Sequence, residues 1–283
     1  MKSPIRIGTV SLVVLGLAFA AAPAPVQFTS QDVADDARWE DYLRTAAVVS
    51  ETQLGGPNAI TEPWKLTLEK DGRRTFGLWK FIDSRKGGVP DHWRFEIAAY
   101  RFDRMLGLNM VPVTVERPFK DKPGSLQLWM EGTETLKSIG PKINDRTRDR
   151  SREWNRLAYV QRVFDDLLAN EDRNANNILV TADTRMILID HSRAFRTGRT
   201  YTRNLIFGPE GRMKAPDGSP YLFKTLPRAF VGRIRGLEAA QIREAVGTTL
   251  SDSEIEAILA RKVLVLREID ALIAQSGEDQ VLY

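Results

Sequence analysis

The 283-residue chain contains no cysteine. That excludes disulfides, thiolate zinc sites, a cysteine nucleophile and lipid attachment through an N-terminal cysteine. Histidine is nearly as scarce, with only His92 and His191, which argues against a multi-histidine metal centre or a serine–histidine triad. Charge of one sign is also lacking. There are 41 basic and 37 acidic residues, a net charge of +4 spread along the chain, so no basic stripe calls for a nucleic-acid partner. Long apolar runs are absent beyond the first residues. There Lys2 and Arg6 precede the run Leu12–Ala22, with Ala18-Phe19-Ala20 as a small-residue cleavage signal. The run is short for a membrane span and Pro23 and Pro25 close it. The expectation is a signal peptide over 1–22, cleaved on export to a periplasmic or secreted location. An uncleaved anchor would leave the body on the same side of the membrane.

What is present is ordinary in amount and uneven in arrangement. The apolar fraction of 42% supports a sizeable core. Residues 23–54 read as a linker and an N-terminal helix, the helical pattern running from Gln31 to Gln53 and broken by Gly55-Gly56. Two strands follow around Asp71-Gly72, a strong hairpin signal. "DHWRFEIAAYRFDRMLGL" has helical spacing with Gly107 as its stop, and "VPVTVERP" and "SLQLWME" read as further strands. Pro141–Glu153 is a charged loop and the best lobe boundary. A long helix follows, and from about Leu226 the chain is mostly helical, with Ser251 and Glu254 spaced as a capping box. The expectation is therefore an α+β protein of two lobes, 55–140 β-rich with one main helix and 141–283 mostly helical.

Five polar residues need a reason. Lys80 is the only charge in "FGLWKFI", a strand that looks covered on both faces. Its head must either reach an edge or find a carboxylate. Glu96, in the first turn of the next helix, is the nearest candidate, although acids favour helix starts in any case. A strand lysine paired with a helix glutamate is also how kinases hold nucleotide phosphates. "NEDRNANNILV", Asn170–Val180, sets Asp172 and Asn177 in a D-x-x-x-x-N spacing, which lets one side chain face an attacking hydroxyl while the other turns back to a metal. A polar turn entering a strand has the same composition. If "NILV" and "MILID" pair around Asp183–Thr184, Val180 faces Ile187 and Asn177 faces Asp190, so an amide oxygen and a carboxylate meet at the open end of a hairpin. With phosphate oxygens these suit Mg2+ or Mn2+. Arg173 either braces the aspartate, meets a phosphate or is an exposed charge. The cluster Arg196–Arg203 reads as a solvated loop, and His191 as a packed or turn histidine.

Together "FEIAAYRFDRMLGLNMVPVTVER", "FDDLLANEDRNANNILV" and "LIDHSRAF" resemble the atypical kinases of the secretory pathway, the Golgi casein kinase and Four-jointed group, and more distantly HipA-like and phosphoinositide 3-/4-kinase-like proteins. The resemblance covers roughly residues 55–200. It implies a two-lobed kinase-like fold that binds ATP with Mg2+ or Mn2+. Lys80 would contact the phosphates with support from Glu96, Asp172 would be catalytic, and Asn177 and Asp190 would hold the metal. An unidentified hydroxyl on a protein, sugar or lipid headgroup would accept the γ-phosphate. Four departures stand out. Asn174 replaces a frequent histidine after "DR", Ser192 stands where glycine is usual two residues after the metal-binding aspartate, the cysteines of the animal members are missing, and Gly55-Gly56 is a poor glycine-rich loop. The alternative is a non-catalytic nucleotide- or phosphate-binding module on the same scaffold.

Overall fold

The computed structural model describes residue 32 and residues 34–55, 63–86 and 89–283. The expected export segment, 1–22, lies outside them, as does Gly56. Among the described residues no helix is long and apolar enough to cross a membrane.

The first labelled element, helix α1, spans Asp36–Thr45. The helix expected to continue to Gln53 stops here. Ala46 is extended (φ −60°, ψ 141°), and Ala47–Gln53 is strand β1, paired antiparallel with strand β2, Trp64–Lys70. Val48, Val49 and Thr52 are β-branched and suit a pleated strand. The end of α1 is held from outside, because Arg117 donates to the carbonyls of Leu43 (2.5 Å) and Ala46 (2.6 Å).

Strand β3, Arg73–Lys80, returns from β2 through Asp71-Gly72. Both turn residues have positive φ, 51° and 72°, the type I′ geometry that matches strand twist. A short hairpin, β4 Asp83–Lys86 and β5 Val89–His92, leads into helix α2, Arg94–Leu106. Strands β6, Thr114–Glu116, and β7, Ser125–Leu128, complete a five-stranded sheet in the order β1-β2-β3-β7-β6. Helix α2 buries Ile97, Ala98, Ala99, Phe102 and Leu106, and also Glu96 and Asp103, so its buried face is wider than the apolar stripe.

The chain leaves this sheet after Leu128. Strand β8, Thr133–Thr135, pairs with β9, Ile178–Thr181, which pairs in turn with β10, Met186–Leu188. The change of sheet falls at residues 129–132, ahead of the expected boundary. The expected charged loop instead holds short helical turns, Lys142–Arg146 and Arg148–Arg150, running directly into helix α3, Ser151–Leu168. Phe102 of α2 stacks on Phe164 of α3 at 6.3 Å between ring centroids. Such pairs add about 0.5–1.5 kcal/mol beyond their area burial. The C-terminal part is helical, with α4 Arg228–Arg235, α5 Ala239–Val246 and α6 Asp252–Ser276. The expected capping box opens α6: Glu254 accepts from the Ser251 amide at 2.7 Å while Ser251 Oγ accepts from the Glu254 amide at 3.4 Å. The molecule thus has a sheet-rich first part and a helical second part, as expected.

Candidate active site

Lys80 ends β3 and its ammonium meets two carboxylates. Nζ donates to Glu96 Oε1 at 2.6 Å and to Asp190 Oδ1 at 2.8 Å. Glu96 is 2% exposed and its second oxygen accepts the backbone N–H of His191 at 2.9 Å. Burial works against both charges. For Lys80 the carboxylates of Asp190 and Glu96 outweigh burial and hold the pKa above the usual lysine value. For Glu96, Lys80 and then His191 outweigh it and hold the carboxyl well below its ordinary range. The lysine therefore neither snorkels nor stands alone; a buried charge survives because it is paired and hydrogen-bonded.

The loop after α3 starts at Ala169, left-handed at φ 51°. Asn170 is fully buried; its Oδ1 accepts the Asp172 N–H at 3.2 Å and its Nδ2 donates to Asp165 at 3.1 Å. Asp172 is consequently fixed at its backbone, with its carboxylate about a third exposed. Asn177 Nδ2 donates to the Asp172 carbonyl at 2.8 Å, closing the D-x-x-x-x-N loop on itself. Asn174 shapes the interior: its Oδ1 accepts from the Asn176 N–H and its carbonyl from the Asn177 N–H. An asparagine at this point of the motif therefore does turn-forming work with its short amide.

The hairpin register differs by one residue from expectation. Val180 pairs with Met186 and Ile178 with Leu188, and the Ile189 N–H donates to the Asn177 carbonyl at 3.2 Å. The connection is a three-residue loop, Ala182–Thr184, with Thr184 left-handed at φ 64°. Asn177 is thus opposite Ile189, not Asp190. Asp190 itself adopts φ 62°, departing from the strand as its carboxylate meets Lys80. Because the positive φ falls on Asp190 and not on Ser192, the backbone places no demand for glycine at 192.

Arg173 is buried and braces the site. It donates to Asp165 through Nε (2.9 Å) and Nη2 (3.1 Å), and through Nη1 to the carbonyls of Asn177 (2.6 Å) and Ile189 (2.7 Å). Its Nη2 also lies 2.8 Å from His191 Nε2. His191 has no exposed surface, and burial lowers its pKa. Asp165 and Asn170 were not identified as site residues from sequence. Arg193 was missed as well. Its guanidinium lies 3.5 Å from Asp91 and 3.7 Å from Asp172. Of the basic cluster, Arg196 is buried against Glu171 at 2.8 Å, and Tyr201 donates to the same oxygen.

Beside Lys80 and Asp190 lies a cleft of about 440 Å3, walled by Leu54, Leu78, Leu128, Leu179 and Ile189. Leu54 and Pro63, joined by an N–H···O bond of 2.7 Å, flank the β1–β2 connection that carries Gly55. The Gly55-Gly56 pair therefore follows a strand, where it was expected to precede the first one. An apolar slot with charged groups at one end suits a flat heterocycle bearing an anion.

The donor chemistry fits a divalent cation shared with a bound phosphate. Asn177 spends its amide nitrogen on Asp172, leaving Oδ1 as the free ligand atom, and Asp190 has one oxygen uncommitted among the described residues. No group of three or more histidine, aspartate or glutamate side chains is gathered for a metal among the described residues. One carboxylate and one amide would supply part of a shell, to be completed by phosphate oxygens and water.

No protein-family profile matches the chain, and no curated protein matches it by sequence. Solved structures do. A hydra Fam20 solved with sugar aligns over 93% of this chain and 95% of its own at 14% identity, with a TM-score of 0.62. The Golgi casein kinase aligns over 87% and 78% at 13% identity, with a TM-score of 0.58, and is also known with Mn/ADP bound. The Helicobacter pylori proinflammatory kinase CtkA aligns over 83% and 96% at 14% identity, with a TM-score of 0.51. This chain has the two-lobed fold of the atypical secretory-pathway kinases.

Proposed function

We propose that the protein moves the γ-phosphoryl group of ATP to a hydroxyl acceptor. The observation that carries this reading is the bridged ion triad: one buried lysine joined to a helix glutamate and to the aspartate after a hairpin, at the charged end of an apolar cleft. A binding module has no need of an aspartate fixed at its backbone within reach of the same loop, and Asp172 is such a residue.

In this reading the aliphatic walls take the base and Lys80 contacts the phosphates. Asn177 Oδ1 and Asp190 would hold Mg2+ or Mn2+, which neutralises charge on the transferred group. Asp172 orients the acceptor hydroxyl and takes its proton as the oxygen attacks phosphorus and the bond to the ADP oxygen breaks. Glu96 keeps Lys80 aimed. The Mn/ADP complex of the Golgi casein kinase supports the choice of ligand. The signal peptide expected over residues 1–22 would put the reaction outside the cytoplasm.

The test is turnover of labelled ATP by the purified protein with Mn2+ or Mg2+. Asp190→Ala should abolish it. Asp172→Asn should lower kcat by about 10²–10⁴-fold while keeping nucleotide-dependent thermal stabilisation. Stabilisation with no turnover in the wild type assigns the fold to binding alone, and no nucleotide effect at all overturns both readings.

A further inference from the structure

Glu96 is only as well placed as the helix that carries it. The C-terminal end of α2 is held by the helical part of the chain through a reciprocal arrangement. Arg233, on α4, donates through Nη1 to the carbonyl of Leu106, the last residue of α2, at 2.9 Å. Arg101, on α2, donates through Nη1 to the carbonyl of Val246, the last residue of α5, at 2.9 Å. In both cases the next residue is a glycine at positive φ, Gly107 (φ 62°) and Gly247 (φ 60°). A Cβ on Gly107 would run into the Arg233 guanidinium, and one on Gly247 would come within 3.2 Å of Arg101. Each helix end is thus trimmed to admit the arginine that caps it.

A cation at a helix C-terminus satisfies an orphan carbonyl and meets the negative end of the dipole. A groove of about 630 Å3 lies beside these bonds, lined by Arg101, Leu106 and Arg233 with half-buried Met105 and buried Leu237. The two ties act beside the close packing of α2, whose Phe102 and Leu106 are fully buried.

We infer that Arg101 and Arg233 are positioning residues for the proposed reaction: they lock α2 to the C-terminal helices and keep Glu96 against Lys80. The inference rests on the phosphotransfer reading for its purpose, and its test does not need turnover. Lys80 is nearly buried and shared between two carboxylates, so a displaced α2 leaves its amine more open to an acylating or arylating reagent.

The experiment measures the rate at which trinitrobenzenesulfonate modifies Lys80 in the purified chain, resolved by mass spectrometry, with exposed Lys142 as internal control. In the pair Arg101→Ala with Arg233→Ala, Lys80 modification should rise about tenfold, the scale set by losing charge-assisted hydrogen bonds, while Lys142 stays constant. Arg101→Lys with Arg233→Lys should restore the slow rate. If the alanine pair does not fold, Arg233→Gln alone carries the same comparison. An unchanged Lys80 rate in a folded variant, or equal acceleration at Lys142, overturns the inference. Failure of wild-type ATP turnover instead sinks the phosphotransfer reading and leaves the labelling result standing.

Discussion

Arg173 shows how one side chain couples a loop to a hairpin. Its guanidinium spans from Asp165 at the end of α3 to the carbonyls of Asn177 and Ile189, one from each strand entry of the hairpin. Asp165 collects four donors, from Gln161, Asn170 and twice from Arg173. Removing the arginine leaves that carboxylate buried and short of its counter-charge. We predict that Arg173→Met, close in volume and neutral, lowers unfolding free energy by about 3–5 kcal/mol, read from the urea midpoint; a loss below about 1 kcal/mol would mean the pair contributes no more than an exposed one. The residue's position was legible in sequence and its burial was not. From sequence Arg173 reads equally as a brace, a phosphate contact or an exposed charge, and only the folded chain shows that α3 and the hairpin close over it. Lys80 was more legible because apolar neighbours on both sides of a strand leave a charge few alternatives. Glu96 followed from its place in the first turn of α2.

At the scale of elements, the β9–β10 hairpin decides what the site can hold. Strand existence was legible from two apolar runs, and Asp71-Gly72 was legible as a hairpin turn. The second hairpin was read one residue out because its loop carries no glycine to announce a left-handed position. Thr184 occupies that position instead, a β-branched residue at φ 64°, which is costly. Asparagine tolerates the left-handed region better. Thr184→Asn should raise stability by about 1 kcal/mol with unchanged strand pairing, checked by thermal unfolding and by amide exchange at Val180 and Leu188. A destabilised variant would show that the Thr184 hydroxyl, bonded to the Asp183 carbonyl, outweighs backbone strain. The overrun of the first helix has a related origin. Nothing near Ala46 says that β2 waits to pair with residues 47–53; that information sits across the sheet. Likewise β8 joins β9 through a contact some 45 residues distant in sequence, beyond the reach of local periodicity.

Seen as a whole, the molecule joins its two parts around the cleft by polar ties that add to those of Glu96, Arg101, Arg193 and Arg233. Lys80 meets Asp190, the His92 N–H meets the Ser192 carbonyl at 2.8 Å, and the Leu188 N–H meets the Met110 carbonyl at 2.8 Å. The division into a sheet-rich and a helical part was legible from element order, while the convergence of Lys80, Glu96 and Asp190 required the fold. Asp190 and Asn177 would supply only part of a cation shell, since each has one side-chain oxygen uncommitted among the described residues. A cation should therefore bind weakly alone and tightly with a nucleotide whose phosphates complete the shell, a coupling that must be reciprocal. Thermal unfolding in four conditions checks this. Mn2+ alone should shift Tm little, and EDTA should not lower it. ATP alone should give a small rise. ATP with Mn2+ at a hundredfold excess over Kd should contribute about 2.7 kcal/mol, roughly 5–10 °C for a chain of this size, and more than the two separate shifts added. Equal stabilisation by Mn2+ with and without ATP would reveal a resident metal site, contradicting the partial shell. Asp190→Ala should remove the synergy, because the remaining amide oxygen and the phosphates lack the carboxylate that anchors the ion to the second part of the fold.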